Sequence, residues 1–166
     1  MPINSELFRK TLSQFATGVT IVTTRYGDAI HGLTANAFCS VSLEPPRVLV
    51  CVDKSAQSHD LIKQSGHFAV NILNAAQEEL SRRFATNHSS AAERFAGVDF
   101  RTEMTGAPVL EESLGWLDCK LVAAYPGGDH TIFVGEVLAL GQPGNDGPLL
   151  YYQSQYQKLA SPHLTR

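Results

Sequence analysis

The residues best suited to chemistry cluster between positions 53 and 59, in the run Asp53-Lys54-Ser55-Ala56-Gln57-Ser58-His59. The β-branched stretch Arg47-Val48-Leu49-Val50-Cys51-Val52 precedes them, and a helix through Asp60, Leu61, Ile62 and Lys63 is expected to follow, with Ser55 as its N-cap. Free amide N–H groups at a helix start, backed by the helix dipole, attract an anion such as a phosphate. The same residues also read as an ordinary capped helix, with Lys54 a solvated charge. Upstream lie Thr34-Ala35-Asn36-Ala37, then Ser40 and Ser42 at alternate positions of an expected strand over residues 37 to 43. Small polar groups at that spacing either serve a planar polar ligand without crowding it or form a solvent-facing strand edge.

Other chemistry finds no support in the spacing. There is no G-x-G-x-x-G after a strand, no P-loop, no H-E-x-x-H, no paired C-x-x-C and no G-x-S-x-G elbow. The histidines His31, His59, His67, His88, His130 and His163 are scattered, so no metal site is expected. Cys39 and Cys51 have no evident basic neighbour to activate them and read as small buried packing residues. Arg83, or Arg82 beside it, could grip a phosphate with its planar fork, though a lone arginine on a helix also suits the surface. His130 follows the turn Pro126-Gly127-Gly128-Asp129 at the head of a strand, either as an exposed turn residue or as a hydrogen-bonding group.

The elements that must position these residues are short. Phe8, Leu12 and Phe15 recur at helical spacing, which predicts a helix over 5–16 capped by Ser5 and ended by Gly18. A strand over 19–24 and a turn at Tyr26-Gly27-Asp28 follow. Glu44-Pro45-Pro46 cannot continue a ladder, because proline lacks the donor, so the chain must turn there. Gly66 is expected to end the helix that begins near Ser55. Further strands are expected over 68–73, 116–125, 130–140 and 149–152, with helices over 75–84 and 91–95. Several short strands, a few helices and no βαβ rhythm argue for an antiparallel barrel with helices at its ends.

Composition sets the class. At 166 residues, 43% hydrophobic and 17% charged, the chain can bury a real core as one domain. A net charge of −3 without a basic block points away from nucleic acid and anionic membranes. No apolar run approaches membrane-spanning length, and the amino terminus lacks a basic-then-apolar signal pattern. The three cysteines, Cys39, Cys51 and Cys119, read as free thiols of a reducing cytoplasm.

An ordered set of motifs narrows the reading. It comprises Phe15-Ala16-Thr17-Gly18-Val19, Thr34-Ala35-Asn36, Ser40-Val41-Ser42-Leu43 with Pro45-Pro46, and Lys54-Ser55 with Ser58. It continues through Phe68 to Leu73, Gln77 with Leu80 and Arg83-Phe84, Gly128-Asp129-His130 and Gly135-Glu136-Val137. In this order the motifs resemble the flavin reductase-like family, the short-chain NAD(P)H:flavin oxidoreductases that serve two-component monooxygenases. The resemblance implies a mainly β chain with flanking helices, an FMN-binding split β-barrel of Greek-key antiparallel type, forming one domain over 1–166. It implies FMN or FAD as flavin, NADH or NADPH as hydride donor, a homodimer with flavin near the interface, and an oxygenase that receives reduced flavin. By the same resemblance Thr34, Ala35, Asn36, Ala37, Ser40 and Ser42 surround the flavin ring. Asp53, Lys54, Ser55 and Ser58 surround its ribityl phosphate, His59, Arg83 and Phe84 complete the cofactor set, and His130 lies by the nicotinamide. The alternative on the same barrel is a flavin-binding electron carrier or flavin store. A pyridoxamine-phosphate-oxidase-like or haem-binding split barrel is disfavoured by the Thr34 to Ser58 pattern.

Overall fold

The computed structural model describes residues 3–86 and 89–160, so His88, His163 and the end of the carboxy-terminal tail lie outside the described residues. The chain opens with α1 (Ser5–Leu12), and the cap is Asn4, not Ser5: its side chain accepts from the amides of Glu6 and Leu7, each at 2.9 Å. The helix closes at Ser13, short of Phe15, and buries none of its residues. Then come β1 (Thr17–Gly18), β2 (Thr20–Tyr26), β3 (Ala29–Ala35), β4 (Phe38–Leu43) and β5 (Pro46–Asp53). Gly27 and Asp28 turn β2 into β3, and Glu44-Pro45 turns β4 into β5, where Pro46 already pairs with Leu43. A bulge between Ser40 and Ser42 breaks the alternation expected of β4. Cys39 on that strand is exposed, contrary to the packing role expected of it, Cys51 is half-buried, and Cys119 is buried.

Helix α2 (Gln57–Ser65) corrects a second cap. Ala56 stands at its N-cap without a side-chain bond, while Ser55 turns back to Asp53. Gly66 stops the helix as expected, at φ 71°, a left-handed conformation that costs glycine little. Next are β6 (His67–Ile72), α3 (Glu78–Ala85), α4 (Ala91–Phe95), β7 (Phe100–Thr102) and β8 (Pro108–Leu110). The long hairpin of β9 (Gly115–Gly127) and β10 (His130–Gly141) follows, turning on Gly128-Asp129 alone, because Pro126 and Gly127 still belong to the strand. The chain closes with β11 (Leu149–Tyr152) and β12 (Gln155–Lys158). Strands β1, β7, β8 and β12 were not expected.

The main sheet has seven strands in the order β3-β2-β6-β9-β10-β5-β4, every neighbouring pair antiparallel. Smaller sheets join β1-β11-β12 and β7-β8. Strand β2 is buried on both faces, which explains its unbroken β-branched run. Val22 enters a core with Val50, Val52, Ile62, Phe68 and Phe133, and Ile21 enters another with Leu73, Phe84, Phe95, Leu110 and Leu149. Leu33 and Ala35 of β3 share the first core with Val48 of β5 and Phe38 of β4, so the two ends of the sheet curl toward one another. No ladder joins β3 to β4 among the described residues, and the architecture is an antiparallel, mainly β fold with few helices.

Candidate functional site

The curl leaves a cleft of about 440 Å³ between β3, the β5–α2 turn, and the ends of α3 and α4. Thr34, Asp53, Ser55, Ser58 and Phe84, drawn from three separate stretches of sequence, converge on its walls. Three further wall residues, His31, Gln57 and Arg94, were not singled out from the sequence.

Gly32, between the wall residues His31 and Leu33, sets how closely β3 approaches α3. A Cβ at this position would lie 2.7 Å from the Phe84 ring, so only glycine lets β3 and α3 approach so closely. Its carbonyl accepts a hydrogen bond of 2.6 Å from an Arg94 terminal nitrogen, and the other terminal nitrogen donates to the Thr86 carbonyl at 2.7 Å. Arg94 is 6% exposed and its Nε is a buried donor without a partner. Helix α4 presents this arginine. A capping box fixes the helix, with the Glu93 amide donating to Ser90 Oγ and the Ser90 amide donating to the Glu93 carboxylate. An orphaned buried N–H costs roughly 1–3 kcal/mol, a deficit that a ligand's acceptor oxygen would remove.

His31 sits beside this cation, 3.3 Å from its terminal nitrogen. Its Nε2 donates to Gln57 Oε1 at 2.9 Å, which makes Nδ1 the acceptor of the Ser58 hydroxyl. Burial chiefly, and then the Arg94 charge, lower the pKa of His31, against a smaller opposing effect of the Gln57 hydrogen bond. The imidazole therefore stays neutral at neutral pH and holds Ser58 and Gln57, the first residues of α2, against β3.

The rim nearest α2 is polar. Asp53 Oδ1 accepts from both the amide and the hydroxyl of Ser55, each at 2.7 Å, and these bonds lower its pKa. Lys54 Nζ donates to the Gly128 carbonyl at 2.6 Å and its amide to the Asp129 carbonyl at 3.0 Å, so the β9–β10 turn is tied to this rim. His130 pairs with Asp53 in register and its Nδ1 lies 2.7 Å from Asp129 Oδ1. That bond and the His130 charge lower the pKa of Asp129.

The remaining residues expected at the site lie elsewhere. Asn36 is exposed in a neighbouring recess and Ala37 is exposed at the corner before β4. Ala35 is core, and Ser40 and Ser42 stand on edge strand β4, outside the cleft. His59 is buried behind α2, with Nε2 2.8 Å from Thr131 Oγ1, Nδ1 2.9 Å from Asp60, and its ring 5.4 Å from Phe133. Arg83 turns away and donates to the Ala96 carbonyl at 2.7 Å, while Arg82 is paired with Glu78. The sequence holds two Arg-Phe pairs, Arg83-Phe84 and Arg94-Phe95, and the cleft takes its phenylalanine from the first and its arginine from the second. Nothing in the dipeptides themselves distinguishes them.

The lowered pKa of His31 has a consequence for stability with a definite sign. As pH falls below about 6.5, the ordinary histidine value, the unfolded chain binds a proton that the folded His31 resists. Stability therefore declines through this window, by at most about 1.4 kcal/mol per pH unit, until the folded histidine is protonated too. Urea unfolding of the parent and of His31→Gln between pH 7.5 and 5 should give a shallower decline in the variant. Parallel declines would show that His31 is not the group responsible.

Comparison with known proteins bears on this geometry. Residues 12–160 match the family model described as flavin reductase like domain. The chain is 39% identical over 156 residues to the reductase subunit HsaB of a flavin-dependent monooxygenase from Mycobacterium tuberculosis, covering 93% of this chain and 82% of that one. It is 40% identical over 148 residues to the FMN reductase (NADH) SmoA of Agrobacterium fabrum, covering 89% and 82%. Among solved structures, the NADH:FAD oxidoreductase SgcE6 of Streptomyces globisporus superposes with a TM-score of 0.90 at 38% identity, covering 97% of this chain and 96% of that one. With a match that spans nearly its whole length, the chain belongs to the flavin reductase like domain family.

Proposed function

We propose that the protein is an NADH-dependent flavin reductase that supplies reduced flavin to a separate monooxygenase. The observation that carries this reading is the convergence of Thr34, Asp53, Ser55, Ser58 and Phe84 on one cleft that also holds a buried, incompletely bonded arginine. That donor set suits a flavin phosphate. Arg94 supplies a charged N–H, and α2 begins at the cleft without a side-chain cap, leaving its first amides for an anion. When bound, the flavin accepts reducing equivalents from the nicotinamide and passes them on.

The chain's own part is to bind and orient. Thr34, on the cleft wall, and Asn36, in the adjoining recess, give the ring an uncharged, uncrowded border. Asp129 takes one nitrogen of His130 and leaves Nε2 as the ring's remaining hydrogen-bonding atom, for a nicotinamide carboxamide or a phosphate. The curled sheet is read as the split barrel, one domain spanning 1–166, and the three free thiols fit a reducing cytoplasm.

Self-association completes the reading. Helix α1 leaves Leu7, Phe8 and Leu12 more than half exposed, and edge strand β4 leaves Leu43 93% exposed. Apolar groups in such numbers, on one helix and one sheet edge, suit a second copy of the chain.

Three measurements test these statements. Anaerobic addition of NADH to the protein with FMN or FAD should bleach the flavin absorption, with NADPH run in parallel. Tight flavin binding without bleaching would make the protein a carrier instead. In fluorescence titrations Arg94→Gln should weaken FMN by about tenfold to a hundredfold, as expected for a lost charged hydrogen bond, and weaken riboflavin, which has no phosphate, far less. Arg83→Gln should move neither, and the reverse pattern would return the phosphate to Arg83. Sedimentation at micromolar concentration should give twice the 18.0 kDa of one chain; a monomer would exclude the dimer.

A further inference from the structure

Past Ala85 the cleft continues into aromatic ground. Thr34 and Ala85 wall both the cleft and a recess of about 210 Å³ that is lined also by Asn36, Tyr151 and Tyr156. The two tyrosines and Ala85 are shared in turn with an outer recess of about 280 Å³, closed by Arg82, Thr86 and Ser154. The three spaces thus adjoin in series through shared wall residues, from the cleft that holds the buried Arg94 to an open tyrosine shelf.

The shelf is held from several sides. The rings of Tyr151 and Tyr156 lie 5.4 Å apart at 65°, and the Arg82 guanidinium stands 4.7 Å from the centre of the Tyr156 ring. Tyr156 is anchored by a 2.7 Å hydrogen bond between its hydroxyl and Ser81 Oγ, and Arg82 by Glu78 at 2.8 Å. Ser154 is placed at the mouth by a two-residue turn in which both Gln153 and Ser154 have positive φ, 50° and 61°. Two edge-packed phenol rings with a guanidinium over one of them, and Asn36 and Ser154 as hydrogen-bonding groups nearby, offer the aromatic and cationic surface on which a purine ring stacks.

We infer that this shelf binds the adenosine half of an ADP-bearing nucleotide, FAD or NADH, whose phosphates reach back toward Arg94. The inference rests on the flavin reductase reading and goes beyond it, because FMN has no adenosine and needs only the inner cleft. The shelf is where this chain distinguishes a dinucleotide from a mononucleotide. It gives a physical basis for a choice on which SmoA and SgcE6, named for FMN and FAD, differ.

Equilibrium binding of FMN and FAD, followed by flavin fluorescence, tests it without turnover. Tyr156→Leu should raise the FAD-to-FMN ratio of dissociation constants by about tenfold, within the range of base–aromatic stacking. Tyr156→Phe keeps the ring and should keep the parental ratio. Arg82→Gln, an exposed position, should raise the ratio in the same direction and carries the test should Tyr156→Leu fail to fold. If NADH owns the shelf, the KM for NADH with FMN as acceptor rises in these variants while the flavin ratio holds, and AMP competes with NADH in the parent only. Loss of FMN and FAD in equal measure with an unmoved NADH KM, or no change in any of them, overturns the inference while flavin binding stands. A parent that binds neither flavin overturns the flavin reading, and this inference with it.

Discussion

The contact between Gly32 and Phe84 determines how the site is built. A methyl group on residue 32 would press against the aromatic ring at 2.7 Å, so the backbone of β3 meets the side chain of α3 with nothing between them. Phe84 stacks edge-on against Phe95 of α4 at 5.0 Å, which brings Arg94 over the same glycine, where the Gly32 carbonyl binds it. Burial, helped by the cation, keeps His31 neutral, and neutral His31 accepts from Ser58 and donates to Gln57, the first residues of α2. Four elements are thereby registered on one backbone carbonyl and one ring.

The sheet beneath supplies the rigidity this arrangement needs. Because β2 is buried on both faces, it joins the core under α2 to the core under α3 and α4. Asn71 on neighbouring β6 adds a polar bolt: its side chain donates to the Ile21 carbonyl at 3.1 Å and accepts from the Leu110 amide at 2.8 Å. The buried amide is satisfied on both sides, so it binds β8 to the main sheet without leaving an orphan group. Arg94 is the contrasting case. Its terminal nitrogens are bonded and its Nε is not, so one charged donor at the cleft is left without a protein partner.

The polar groups of the rim divide by position. Those at the start of α2 and on α4 suit an anion, because amides and a guanidinium meet there. Those at the β9–β10 turn are tied to the same rim through Lys54, which places His130 beside Asp53 although 77 residues separate them in sequence. Cross-strand register is a stiff way to hold two such side chains at a fixed separation.

Much of this was legible in the sequence. The hairpins, the stop at Gly66, the short helix Ala91–Phe95 and the strand Leu149–Tyr152 follow from local periodicity and turn residues, because such signals act over a few neighbours. Strand β12 was hidden since its turn, Gln153-Ser154, uses residues that do not announce positive φ, and β1, β7 and β8 are too short to show a period. The cap of α1 is Asn4, whose side chain accepts the first amides, and at α2 Ser55 bonds Asp53 and leaves Ala56 at the cap position. The sequence by itself determined a mainly antiparallel β chain and the stretches from which the site would be drawn. Only the tertiary structure decided that Arg94 and not Arg83 enters the cleft, with His31 and the tyrosine shelf beside it. Two identical Arg-Phe dipeptides differ in nothing but burial, and burial is set by which strands and helices meet far along the chain.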